Sequence, residues 1–179
     1  LYKRQNVDLL VFSSSYHGGL MQNYWAYANT AHFVGAVSNL PCAVIAPDGQ
    51  LLESSTNYHH SVVARINMDC GVFHLDCNWD KIKAAKRKYG DRLRMRDSGL
   101  IGSVVLSSES ADLTMDGIAG EFGLEPLDKY MRRSAEMQDG NRQSWQNRQS
   151  QPNGQSQPNG QSGAQRAAVE GNPALCAKT

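Results

Sequence analysis

Between Asp8 and Asp48 the chain carries no Asp, Glu, Lys or Arg, although 20% of its residues are charged. A neutral run of this length is suited to burial, and its internal pattern says how. Leu9-Leu10-Val11-Phe12 is a short apolar run that gives way to Ser13-Ser14-Ser15, the pattern of a buried strand. His17-Gly18-Gly19 supplies a turn. The residues from Leu20 to Thr30 suit a helix, and Phe33-Val34-Gly35-Ala36-Val37 reads as a second buried strand. The result is strand, helix, strand, with polar groups at the C-terminal end of the first strand. In α/β sheets, ligands gather at such ends. For any one residue of the run, core packing is the simpler reading.

The following segments continue in the same style. Pro41-Cys42-Ala43-Val44-Ile45-Ala46 is a third strand, and Pro47-Asp48-Gly49 has the residues of a tight turn. Gln50-Leu51-Leu52-Glu53 is then the returning strand of a hairpin. A polar loop from Ser54 to His60 leads to another expected strand, Val62 to Met68. Asn78 or Asp76 caps a helix that runs through Lys88 and stops at Gly90. Ile101 to Leu106 is the last strand, and Leu113 to Met137 has a weaker helical pattern broken by Gly120, Gly123 and Pro126.

From about Gln138 the composition changes. Gln149-Ser150-Gln151-Pro152-Asn153-Gly154 repeats as Gln155-Ser156-Gln157-Pro158-Asn159-Gly160. Such a tract buries too little apolar surface to offset its ordering entropy. The expected organisation is therefore one folded domain over residues 1–137 and a disordered Gln/Ser/Pro/Asn/Gly-rich tail over residues 138–179. At the other end, Leu1-Tyr2-Lys3-Arg4-Gln5 reads as the end of a helix, so the chain is expected to begin partway through a larger fold.

A chain of 179 residues can hold one domain with a real core. Its net charge of +1 selects neither nucleic acid nor a membrane surface. No apolar run is long enough to span a bilayer, and no signal-peptide pattern opens the chain. Four scattered cysteines do not form a secreted disulfide framework. Reduced thiols in a cytoplasmic protein are expected.

Three groups of residues have chemistry to weigh. Cys70, His74 and Cys77, with His59 and His60 upstream, offer zinc-type ligands. Val72, Phe73 and Leu75 are interleaved with them, which is the pattern of a core segment holding buried thiols. His17-Gly18-Gly19 is similar in part to the oxyanion-hole turn of esterases, but the G-x-S-x-G nucleophile motif does not occur. Lys81, Lys83, Lys86, Arg87, Lys88, Arg92, Arg94 and Arg96 form a basic stretch. It lacks an aromatic platform or nucleic-acid motif, so a solvated helix face is expected. Trp25 and Trp79 are expected as core or interface anchors, and Trp145 as an exposed residue.

Taken together, the run from Val7 to about Ser108 resembles the C-terminal half of a carbon–nitrogen hydrolase of the nitrilase superfamily. The residues that carry the resemblance are Asp8-Leu9-Leu10-Val11-Phe12 ending in Ser13-Ser14-Ser15-Tyr16-His17, then Tyr24-Trp25 on the next helix, then the strand closing at Asn39. The hairpin Ile45 to Leu52 and the segment Val62 to Met68 complete it. The resemblance implies an α/β fold, the C-terminal portion of a four-layer α-β-β-α sandwich. It also implies a Glu-Lys-Cys triad in which the Cys thiolate attacks an amide, nitrile or N-carbamoyl carbon and water hydrolyses the thioester. No metal or other cofactor is required.

In the family the triad precedes the strand matched by Asp8–Phe12, so all three members are expected ahead of Leu1, and Cys42 does not match the nucleophile. What this chain is expected to contribute is a substrate-binding wall of Ser15, Tyr16, His17, Asn23, Tyr24 and Trp25. Many members place a second glutamate on the helix after Trp25, where this sequence has Asn29 and Thr30. The implied partners are a small amide, nitrile or carbamoyl substrate and further copies of the chain. Helices on the outer faces mediate dimers in the family, so Trp79 and the segment Leu113 to Met137 are the expected contacts. The competing class is a non-catalytic module, either zinc-stabilised or partner-binding.

Overall fold

The computed structural model describes residues 7–149, which form seven strands and four α-helices. The neutral run folds as a β-α-β unit. β1 (Leu9–Ser14) leads into α1 (Met21–Asn29), which returns to β2 (His32–Val37), and β2 lies parallel to β1 with Leu9 beside His32 and Ser14 beside Val37. β3 (Ala43–Ile45) and β4 (Leu51–Ser54) add antiparallel strands, giving the order β1-β2-β3-β4.

Strand alternation divides this first sheet into two faces. Leu10, Phe12, Phe33, Ala43 and Ile45 turn toward α1 and pack with Trp25 and Ala26. The rings of Phe12, Trp25 and Phe33 lie 5.5–6.1 Å apart in tilted pairs. Each such pair is worth about 0.5–1.5 kcal/mol beyond area burial. The opposite face carries the cross-strand pairs Leu9–His32, Val11–Val34 and Ser13–Ala36. Its burial is uneven: His32 is 5% exposed, whereas Val11 is 69% exposed.

The β3–β4 hairpin closes as its residues dictate. Gly49 adopts φ +79° and donates its N–H to the Ala46 carbonyl at 2.8 Å, and the Asp48 carboxylate accepts the Gln50 N–H at 3.1 Å. The positive φ is the conformation that glycine allows without strain.

A second sheet follows, with order β5-β7-β6 and antiparallel pairing throughout. Its strands are β5 (Cys70–His74), β6 (Leu93–Asp97) and β7 (Ser103–Ser108), and α2 (Trp79–Tyr89) and α3 (Met115–Phe122) cover one face. Phe73, Leu93, Val104 and Leu106 from the sheet meet Ile82, Ala85, Met115, Ile118 and Leu124, the largest apolar cluster of the fold. The other face presents Cys70, Val72, Val105 and Ser107 with Arg94 and Arg96. Val72 and Val105 pack with Leu127 and, from α1, Tyr27.

Four expectations need correction. Residues 62–68 form no strand. The alternation there is real, but Val63 is 91% exposed and no described strand pairs with the segment. The basic stretch is not one helix face. Gly90 ends α2, a single 3-10 turn follows, and Arg92, Arg94 and Arg96 fall on that turn and on β6. Gly120 does not break α3, whose end is set by Gly123 at φ +60°. Finally, α4 (Leu127–Gln149) continues past Gln138, so residues 138–149 are helical rather than disordered. The Gln/Ser/Pro/Asn/Gly repeat after residue 149 and the opening residues 1–6 lie outside the described residues.

The described residues fall into two compact units, one ending at Asp128 and the other beginning at Lys129. The described part of the second unit is helix. Within it the Arg133 guanidinium sits 5.4 Å from the Tyr130 ring centre, and Trp145 is exposed as expected. Among the described residues no helix is long and apolar enough to cross a membrane.

Candidate functional site

The loop that leaves β1 is built by hydrogen bonds within itself. Ser14 Oγ accepts the Tyr16 N–H at 2.9 Å, and His17 Nδ1 accepts the Gly19 N–H at 3.2 Å. That second bond leaves Nε2 as the ring's N–H when His17 is neutral. Gly18 and Gly19 take φ +74° and +53°, which turns the chain into α1 with no side-chain cap. The Met21 and Gln22 N–H groups are satisfied instead by the Gly18 and Gly19 carbonyls. Buried Gln22 donates to the His17 carbonyl, which ties the loop to the helix.

The six expected site residues separate into two groups. Ser15, Tyr16 and Tyr24 are exposed, Tyr16 to 79%, and half-buried His17 lies between them in sequence. They lie on the loop beyond the C-terminal end of β1 and on the first turn of α1. Asn23 and Trp25 are engaged in the fold. Asn23 Nδ2 donates to the Gly49 carbonyl at 2.8 Å, fastening α1 to the β3–β4 turn, and Trp25 stands in the aromatic cluster against Phe12 and Phe33.

Two further features lie near this end of the first sheet. The free edge of β1 has no partner strand among the described residues. Exposed Leu9, Val11 and Ala36 lie on the face away from α1. A hollow of about 510 Å³ opens beyond the end of β2, lined in part by Asn39, Cys42, Ser55 and His60. Cys42 Sγ points to the Val37 carbonyl at 3.8 Å, and its N–H is held by Ser55 Oγ at 2.7 Å.

Of the cysteine–histidine segment, Cys70 through His74 form β5, whereas Cys77 lies in the turn after it at φ +64° and is disulfide-bonded, not the reduced thiol expected. Among the described residues no three His, Cys, Asp or Glu side chains are grouped to hold a metal ion. Cys70 is a free thiol, pushed up to about 11 by burial first and by the neighbouring Asp69 carboxylate second. It stays protonated at neutral pH.

One polar cluster had no signal in the sequence. Where the two sheets meet, Arg96 Nη2 from β6 reaches Asp48 Oδ1 in the hairpin turn at 2.6 Å, although the Asp48 side chain is fully buried. His32 from the start of β2 lies in the same region, and its pKa is lowered by burial and then by Arg96. Asp48 and Arg96 are 48 residues apart, a distance at which no local spacing rule operates. No protein-family model, no curated protein and no solved structure matches this chain.

Proposed function

We propose that the chain is part of a carbon–nitrogen hydrolase of the nitrilase superfamily and supplies one wall of its substrate site. The fold would then be the C-terminal portion of an α-β-β-α sandwich. The triad of Glu, Lys and Cys would come from the segment that the family places ahead of the strand matching β1. The substrates would be small amides, nitriles or N-carbamoyl compounds.

The observation that carries this reading is the uncovered side of β1, the edge strand of its sheet among the described residues. Its free edge and the apolar face with Leu9 and Val11 have the character of a surface meant to receive further strands. That surface runs toward the loop holding Ser15, Tyr16 and His17. A thiolate on an adjoining strand would face these groups. Tyr16 and His17 carry the donors suited to orient a substrate carbonyl or amide, while the nucleophile and its base are supplied by the adjoining segment. Asn23 and Trp25 act by holding the loop and helix in register.

The test is kinetic. In a polypeptide joining the Glu-, Lys- and Cys-bearing segment to this chain, His17→Ala and Tyr16→Ala should each raise KM for a small amide or carbamoyl substrate by about tenfold, the loss of one hydrogen bond to a reacting group. Unchanged kcat and KM in both variants would remove this loop from the site.

A further inference from the structure

We infer that the cavity between the two sheets is a binding site for a compact oxyanion, a phosphate or a small carboxylate, separate from the proposed substrate wall. The cavity measures about 290 Å³ and is bounded by residues from both sheets and from the segment 65–67 that joins them. Three guanidiniums line it, those of Arg65, Arg94 and Arg96, against a single lining carboxylate, Glu109. Glu109 is already engaged, accepting from Ser107 Oγ at 2.8 Å and from Asn67 Nδ2 at 3.3 Å. Arg96 is paired with Asp48. Arg65 and Arg94, both exposed, have no hydrogen-bond or ion-pair partner among the described residues; the Asp8, Asp48 and Asp69 carboxylates act on His32 and Cys70 of the lining but pair with neither of these arginines.

The floor of the cavity gives a second and independent indication. His32 lines it, is 5% exposed, and has a buried Nδ1 without a hydrogen-bond partner. The Arg96 Nε–H is also buried and unpartnered. Buried polar groups in folded proteins are almost always satisfied, and an orphan points to a missing partner. The buried groups left over here are the Arg96 Nε–H, a donor, His32 Nδ1, and Asp48 Oδ2, an acceptor on the carboxylate that Arg96 already holds; the exposed guanidiniums of Arg65 and Arg94 tip the set toward donors. Such a set calls for an acceptor-rich ligand, and an oxyanion between guanidiniums forms short, charge-assisted bonds. Alternation places Arg94, Ser107 and Cys70 in one cross-strand row on the inner face, so sheet geometry holds them on one surface.

This site is remote from the proposed substrate wall. His32 opens β2, whereas Ser15 to His17 follow the far end of the parallel strand β1. Six residues of strand separate the two by roughly 20 Å. The cavity is therefore suited to an effector or structural anion rather than to the reacting substrate.

The experiment is calorimetric titration of the whole 179-residue chain with inorganic phosphate and, separately, with malonate at low ionic strength. The expected result is one saturable site per chain, weakened by added salt. Tighter phosphate binding assigns a phosphate ligand, and tighter malonate binding assigns a carboxylate. Arg94→Gln and Arg65→Gln, both at exposed positions, should keep the melting temperature and each weaken binding by about tenfold. Arg87→Gln, on the outer helix α2, should leave binding unchanged. No saturable binding of either anion up to about 10 mM, well above a millimolar dissociation constant, would overturn the inference. Equal weakening by Arg87→Gln and Arg94→Gln would also overturn it, by showing attraction to net charge alone.

Discussion

His32 opens β2 with its imidazole buried, facing Arg96 on one side and the Asp48 and Asp8 carboxylates more weakly. Burial and the guanidinium both oppose its protonation, and together they outweigh the carboxylates, so its pKa lies below 6.5. An unfolded histidine takes up its proton near that value, while the folded one does so only at lower pH. The chain should therefore lose stability as pH falls from about 6.5 toward the folded pKa, since the unfolded state binds more protons there. Melting temperatures between pH 7.5 and 5 should fall less steeply for His32→Asn than for the parent chain. Parallel slopes would show that His32 titrates as if exposed. Cys70 gives a complementary expectation on the alkaline side. With its thiol pushed up to about 11, peptide mapping after brief alkylation should show little modification at neutral pH and a rise only well above pH 9. Rapid labelling at pH 7.5 would contradict the burial of this thiol.

Among the elements, the join between β5, α2 and the segment before α4 depends on Asn78. This residue is fully buried, donates from Nδ2 to the His74 and Glu125 carbonyls at 2.8 and 2.9 Å, and accepts the Glu125 N–H on Oδ1 at 2.9 Å. Asn78 or Asp76 was expected to cap α2; Asn78 occupies the N-cap position, but its side-chain hydrogen bonds go to the neighbouring segments instead. Asn78→Ala would remove the side-chain partner of the Glu125 N–H and open a small cavity at a fully buried position. A loss of about 2–4 kcal/mol is expected in urea unfolding, whereas a loss below about 0.5 kcal/mol would mean the network is replaceable. This element also shows what the sequence makes legible. The β-α-β unit, the β3–β4 turn and the extent of α2 were readable because each depends on nearby residues: an apolar run, a Pro-Asp-Gly turn, a terminal glycine. Strand β6 was not readable, because Arg92, Arg94 and Arg96 continue the basic pattern of α2 across Gly90. Only pairing with β7 makes that segment a strand. Val62 to Met68 shows the reverse, a strand-like pattern without a partner. The inter-sheet cluster of His32, Asp48 and Arg96 was hidden for the same reason, since each member comes from a different part of the chain.

At the scale of the whole molecule, the first sheet is covered by α1 on one face and, among the described residues, only partly covered on the other. Leu9 and Val11 stay exposed beside a strand edge with no partner among the described residues, and the proposed hydrolase reading rests on this asymmetry. The loop at the end of β1 can orient a substrate, but a thioester mechanism also needs a thiolate, a base and an oxyanion partner. The internal alternative is Cys42, which lies at the same end of the sheet and whose thiol points to the Val37 backbone carbonyl. The most direct measurement is hydrolysis of simple amides, nitriles and N-carbamoyl compounds by this chain alone, by its Cys42→Ala variant, and by the chain joined to the segment bearing Glu, Lys and Cys. No turnover is expected in the first two and turnover in the third, with an acyl group trapped on the added cysteine. Turnover by this chain alone that is abolished by Cys42→Ala would contradict it and move the nucleophile to Cys42.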